Sequence, residues 1–364
     1  MSTPVTPSRI DMMVVALDRL RGTGAEFAGF LSNHGPMAAD AMIRLGGGDR
    51  VERWVENYRV QLDPAPQPGD SVTSENWRVN LGRIDRLGDW GSYFRRQLGH
   101  EHWRVVLAAW WPRLLPGAAA GATHGLIRTA HAVRNLVESA APDPLLVEEL
   151  GAGLAYWAAR HQPLPGTPTL DGHFTIADAM ARLPRLDRSA ASDGPGLAGR
   201  LQSLFRLDGL PEALDRWGPA TPDERALDEL ISCSARVLLA RGDAQIAYCH
   251  AVTAPAAIRM ILPALPADQH RATVAAAWQV AAAIVAAYAS PPGPHDLADA
   301  EEPAESPVEL AEAAIEHGDD HVIKLTEACL RQFQITGDPT LLIAAERFRH
   351  RVDAQPRMRS IPRR

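Results

Sequence analysis

The string Gly121-Ala122-Thr123-His124-Gly125-Leu126-Ile127-Arg128 and its continuation to Val137 place apolar residues at helical spacing, with none of the alternation of a strand. The same period recurs along the chain. It predicts helices over 10–20, 38–45, 51–62, 90–98, 103–115 and 145–161. It predicts further helices over 224–241, 244–262, 269–289, 308–317, 320–333 and 339–351. No stretch combines alternation with β-branched enrichment, so no sheet is expected. The fold class read from this pattern is all-α, one large multi-helix domain over residues 1–352; the histidines and lysine discussed below add the expectation of a metal site in its helical core. Residues 353–364 form a basic tail ending in Arg357, Arg359, Arg363 and Arg364. Two loops stand out: Gln162 to Asp171, and the Pro-rich, acidic segment Ser290 to Pro307, which reads as a linker or a lid.

A chain of 364 residues is long enough to bury a full core. Its formal charge of −7 argues against a nucleic-acid footprint. Cys233, Cys249 and Cys329 are far apart, which suggests neither a disulfide framework nor a thiolate zinc site. The alanine-rich run Ala272 to Ala289 is interrupted by Thr273 and Gln279 and reads as a packed core helix, not a membrane span. The polar N-terminus has no secretory h-region, so a cytoplasmic location is expected.

Of the 37 basic residues only one, Lys324, is lysine. Where arginine serves everywhere else, the surviving amine is a candidate for chemistry that a permanently charged guanidinium cannot perform. The competing reading is a lysine left on a solvated helix. Lys324 follows His321 by three residues, a spacing that puts both on one helix face.

Four of the 13 histidines have small or apolar neighbours: His34, His124, His250 and His321. A lone core histidine is usually structural, but four on four helices suit a site built from inward side chains. His131 lies seven residues beyond His124, a separation of about 10 Å, too far for both to share one metal. His317 and His321 resemble a zinc pair, yet Gly318 reads as a helix terminator and Asp319 or Asp320 as a new N-cap. One of those aspartates is also a candidate acceptor for a ligand histidine. His100, His102, His161, His173, His270, His295 and His350 are expected at the surface. A neutral Lys324 could add carbon dioxide to form a carbamate. Four imidazoles with one such oxygen suit a divalent first-row metal such as iron, with zinc as competitor. There is no dinucleotide fingerprint after a strand, no Walker loop, no nucleophile elbow and no HExxH.

Five strings taken in order resemble the questin oxidase-like family: Asn33-His34-Gly35-Pro36-Met37, Trp111 to Gly117, Gly121 to Arg134, His250-Ala251-Val252-Thr253, and Asp320-His321-Val322-Ile323-Lys324. The resemblance implies an oxygenase that opens the central ring of an anthraquinone, formally a Baeyer–Villiger oxidation. It implies mononuclear non-haem Fe(II), held by His34, His124, His250, His321 and a carboxylated Lys324. It also implies dioxygen as oxidant, an aromatic polyketide substrate, and NADPH to reduce the quinone, without a lasting site in this chain. Fungal members carry a further histidine four residues after the one matching His124; here Arg128 stands there, with His131 one turn on.

Arg128 and His131 are the candidate catalytic residues, to polarise a carbonyl or hold an acidic phenol. Trp103, Trp110, Trp111, Tyr156 and Trp157 are candidates for stacking on a flat substrate, against the alternative of ordinary core packing. Two other functions fit the same residues: a zinc hydrolase, or a non-catalytic helical carrier of aromatic ligands.

Overall fold

The computed structural model describes residues 7–187, 190, 192–288 and 303–353. Seventeen α-helices occupy them. In chain order they are α1 (Arg9–Leu20), α2 (Gly35–Arg44), α3 (Val51–Arg59), α4 (Trp77–Asn80), α5 (Leu87–His100), α6 (Trp103–Leu114), α7 (His124–Glu138), α8 (Pro144–Ala159) and α9 (Ile176–Ala181). There follow α10 (Gly196–Gln202), α11 (Leu210–Leu214), α12 (Glu224–Ala240), α13 (Gln245–Ile261), α14 (His270–Tyr288), α15 (Pro307–His317), α16 (Asp320–Thr336) and α17 (Thr340–Arg351). The all-helical expectation holds. Most of the Ser290–Pro307 segment and the basic tail lie outside the described residues.

Two corrections concern short elements. A two-stranded antiparallel hairpin, β1 (Glu26–Phe27) and β2 (Leu31–Ser32), precedes α2. Its turn places Ala28 at φ 48° and Gly29 at φ 89°, a conformation set by two residues and invisible to a periodicity argument. The helices α4, α9, α10 and α11 are only one or two turns long, too short for a 3.6-residue period to show.

A contiguous hydrophobic core runs from Met13 to Phe348. The alanine-rich run falls in α14 and is almost wholly buried, as a core helix should be. Small side chains there let neighbouring helices approach closely. Caps fix the ends: Ser306 and Glu309 form a capping box on α15, and Gly318 at φ 80° terminates it. Asp319 then caps α16 by accepting from the main-chain N–H of His321 at 2.9 Å and Val322 at 3.1 Å. His317 and His321 therefore sit on different helices, as the sequence predicts.

The arrangement that matters for function is a ring of four helices. α2 packs on α7 and α16, and α13 packs on both α7 and α16. The start of α2, of α7 and of α16 meet on one side of this ring, together with the first turns of α13.

Candidate metal centre

Each helix of the ring delivers one imidazole. His34 is the residue before α2, His124 is the first of α7, His250 lies in the second turn of α13, and His321 is the second of α16. The rings of His34 and His124 stack at 4.3 Å between centroids. His321 lies edge-on to His34 at 4.6 Å, and His250 edge-on to His124 at 4.5 Å. Ligand nitrogens of His34, His124 and His321 come within 4.8 Å of one another. His34, His124 and His250 are buried, and His321 nearly so.

One nitrogen of every ring is held by the protein. The Asp320 carboxylate oxygen Oδ1 accepts from His34 Nδ1 and lies 2.9 Å from His321 Nδ1. The Gly121 carbonyl accepts from His124 Nδ1 at 2.5 Å. Thr123 Oγ1 lies 3.1 Å from His250 Nδ1. Four Nε2 atoms are thereby left over, and that of His124 is buried with no hydrogen-bond partner. A buried polar atom left unpaired costs about 1–3 kcal/mol, and a bound cation would satisfy this one. Imidazoles whose other ring nitrogen is anchored to a carboxylate, carbonyl or hydroxyl are the usual outer arrangement of a metal site.

The turn that makes two of these anchors is strained. Gly121, Ala122 and Thr123 are all left-handed, at φ 54°, 56° and 75°. For Ala122 and Thr123 this costs about 1–2 kcal/mol each. Gly121 is required twice over: it is left-handed, and a Cβ there would lie 2.5 Å from the Tyr156 hydroxyl. Gly125, one residue past His124, rests on the Trp157 main chain, where a Cβ would approach Cα to 2.6 Å. These contacts press the first turn of α7 toward the other histidines. Tyr58 does the same for His34, its hydroxyl accepting the main-chain N–H at 2.8 Å.

Electrostatics keep the donors available. Burial pushes His34 down to about 3, against the pull of Asp320. It pushes His124 and His250 well below the usual imidazole range, each helped by the neighbouring histidines. Neutral rings have a lone pair to give. Burial alone would raise Asp320, but the facing His34 and His321 hold it well below the carboxylate range, so it stays an anion. The N-termini of α2, α7 and α16 add positive potential from their dipoles, which disfavours imidazolium and favours anionic oxygen.

Lys324 lies one turn beyond Asp320 on α16 and is buried. Burial lowers its amine, while Asp320, Cys249 and Asp319 oppose the shift. Its charge disfavours protonation of His34, His124 and His250 alike. No hydrogen bond or ion pair holds its ammonium among the described residues. The reading of Lys324 as a solvated surface residue is therefore corrected.

The other expected residues go elsewhere. Arg128 makes a bidentate pair with Glu149, at 2.6 and 2.8 Å. His131 donates to Asp40 at 2.8 Å. Neither hydrogen-bonds a member of the histidine cluster. Trp110 is packed edge-on among Trp77, Trp90, Tyr93 and Phe94. The indole of Trp111 donates to Thr273 Oγ1, and that of Trp157 to the Gly117 carbonyl, both at 2.9 Å. Trp103 is buried under the Arg104 guanidinium. The Tyr156 hydroxyl is 2.7 Å from Ser32 Oγ and donates to Glu26 at 2.9 Å. All five are core residues here, with Tyr156 and Trp157 backing the His124 turn. Two surface assignments are corrected: His161 is half-buried beneath Gly117, where there is no room for a Cβ, and His270 is half-buried with its Nε2 3.1 Å from the Leu265 carbonyl, while His295 lies outside the described residues. Sequence reasoning missed Thr123, the Gly121 carbonyl and Tyr58. Only the juxtaposed glycine and threonine before His124 could have signalled the first two.

The fold and the site together define an all-helical protein with a four-histidine constellation, two of its rings on one carboxylate, and a buried amine on the same helix as that carboxylate. The family model described as questin oxidase-like matches residues 31–329, which include all five of these side chains. The chain belongs to that family. No curated protein matches the chain.

Proposed function

We propose that this protein is a non-haem-iron-dependent oxygenase that cleaves a ring carbon–carbon bond of an anthraquinone or related aromatic polyketide, with dioxygen as oxidant. The observation behind the reading is the set of four imidazoles packed ring against ring, each with Nδ1 against a protein oxygen, on the four helices of the ring that also carries the buried Lys324. That donor set fits a divalent first-row metal, and family membership directs the choice toward oxidation of an aromatic substrate.

His34, His124, His250 and His321 would hold the metal through Nε2, with Lys324 as the fifth ligand after carbamate formation. In that reaction the neutral amine attacks carbon dioxide, a carbon–nitrogen bond forms, and one proton leaves, giving an anionic oxygen donor. Burial supplies the neutral amine the addition needs. The metal, once bound, supplies activation of dioxygen. The Asp320 carboxylate orients two rings at once and offsets part of the cation's charge. Arg128 and His131 act through their ion pairs, which lock α7 to α8 and to α2, so His124 is presented in register. Closely packed aromatic residues behind α7 keep water from that side. NADPH would act on the quinone in solution.

The test is anaerobic purification, metal analysis and intact mass, followed by oxygen uptake with a panel of anthraquinols. Iron near one atom per chain, a mass increment of one carbon dioxide on the Lys324 peptide, and quinol-dependent oxygen uptake are expected. Zinc with hydrolytic turnover would replace the proposal by a hydrolase. Tight ligand binding without metal would make the protein a carrier.

A further inference from the structure

Apart from the histidine centre, a groove of about 540 Å³ runs along one face of α12, between α9, the end of α14 and the turn after α16. None of the five proposed metal ligands lines it. From Asp228 to Ala240 the lined face of α12 extends about 18 Å. Its volume lies within the range of small-molecule sites. Met180, Val237 and Val285 give it an apolar wall.

The two ends of the groove differ in charge balance. At one end the acids are answered: Asp228 takes Arg259 Nε and Gln332 Nε2, both at 2.8 Å. Asp338 takes Arg236 at 2.9 Å and the Thr340 N–H at 3.0 Å. Glu229, also at this end, is exposed to water. The other end carries Arg185. Its guanidinium reaches only the carbonyls of Val285 at 3.4 Å and Met180 at 3.5 Å, long contacts for a cation with five donors. No carboxylate pairs with it among the described residues. It is partly buried, and burial together with the like charge of Arg241 lowers it from the ordinary guanidinium value. A desolvated cation without a counter-ion is costly, and an anion entering the groove would supply one.

We infer that the α12 groove binds an amphiphilic monoanion, with its carboxylate on Arg185 and its apolar body against Met180, Val237 and Val285. The class is a monocarboxylate with an unbranched or flat apolar body, separate from whatever occupies the histidine centre. The inference stands on the groove and Arg185 alone and does not depend on the proposed oxygenase chemistry.

Calorimetry on the full chain with decanoate, and with decanamide as its neutral counterpart, tests this. Decanoate is expected to bind, and decanamide at least about tenfold more weakly, the scale of one lost charge-assisted contact. Arg185→Gln should weaken decanoate by about tenfold or more and leave decanamide unchanged. Ala181→Trp fills the groove from an exposed position that tolerates a large side chain, and should abolish both. Metal content serves as a control and should not change in either variant. Absence of decanoate binding would overturn the inference. So would equal affinity in Arg185→Gln that is shown to be folded by circular dichroism, or undiminished binding in Ala181→Trp.

Discussion

Two buried polar clusters share helix α7, seven residues apart, and they are resolved in opposite ways. Around His131, charges answer charges. Asp40 accepts from His131 at 2.8 Å, from Arg44 at 2.9 Å and from Arg134, and Arg134 passes on to Glu327 at 2.6 Å. Arg331 adds a further bond to Glu327 at 3.1 Å. Around His124 each ring has one nitrogen against a protein oxygen, and the rings pack against one another. The first cluster is complete as protein. The second leaves the buried Nε2 of His124 without a hydrogen-bond partner, the feature on which the proposed metal site rests. The two sites differ in what surrounds the ring, an aspartate–arginine network at His131 Nδ1 and three further imidazoles at His124, and burial alone does not distinguish them.

The strongest way to break this contrast is Lys324→Arg. It preserves a positive charge but removes any route to a carbamate. Metal should fall to a small fraction of one atom per chain, and turnover with it, as read by metal analysis and oxygen uptake. If the variant kept its full metal and activity, Lys324 would have no place in the centre.

Asp40→Asn attacks the other cluster. Leaving Arg134 and Arg44 short of a counter-charge in a buried setting should cost about 3–5 kcal/mol of stability in urea or thermal unfolding. Metal per folded chain should stay near wild type. A large loss of metal with little loss of stability would show that the clusters are not separate.

Acid should act on this same network. Arg134 and Arg331 hold Glu327 down to about 2 despite its burial, against an ordinary value of 4.5. A depressed carboxylate contributes stability that is fully present above about pH 4.5 and is lost as pH falls toward about 2. Asp40, also held well below its ordinary value, acts in the same direction. Urea midpoints across that window should fall more steeply for wild type than for Glu327→Gln.

Asp320→Asn sharpens the comparison within the centre. It weakens the shared acceptor of His34 and His321 while leaving every proposed ligand in place. Metal affinity should drop about 10–100-fold, the scale seen when outer partners of ligand histidines are changed. Chelator competition would measure it, and an unchanged affinity would remove Asp320 from its assigned role.

Thr123→Gly should have the smallest effect. It relieves a left-handed non-glycine residue, worth about 1 kcal/mol, but releases His250 Nδ1. The metal-free protein should become slightly more stable and bind metal less well. Thr123→Ser should keep the wild-type affinity.

The long helices were readable because each has three or more turns over which burial imposes its period, as on α7, α8 and α14. Readable too were Gly318 and Asp319, since a left-handed terminator and an N-cap act within a few residues. The hairpin before α2 and the one- or two-turn helices left no such pattern. Arg128 and His131 drew attention by their nearness to His124 in the chain. In the structure they pair with Glu149 on α8 and Asp40 on α2, partners that no spacing along α7 reveals. Trp110 and Trp111 likewise looked like a stacking platform, and three-dimensional packing gave their faces to other core residues.

Chemistry that one side chain carries alone was determined by the sequence: a single lysine among arginines, histidines in apolar settings, and local caps that start and stop helices. What only the tertiary structure decided is which groups meet. Two imidazoles fall on one carboxylate oxygen, His250 reaches Thr123 across 127 residues of chain, and Arg185 ends in the wall of a groove with no acid paired to it among the described residues. The physical reason is that helical period and capping are properties of neighbours in sequence. The pairing of buried polar groups depends on distances of about 3 Å between segments brought together only by the packing of the core.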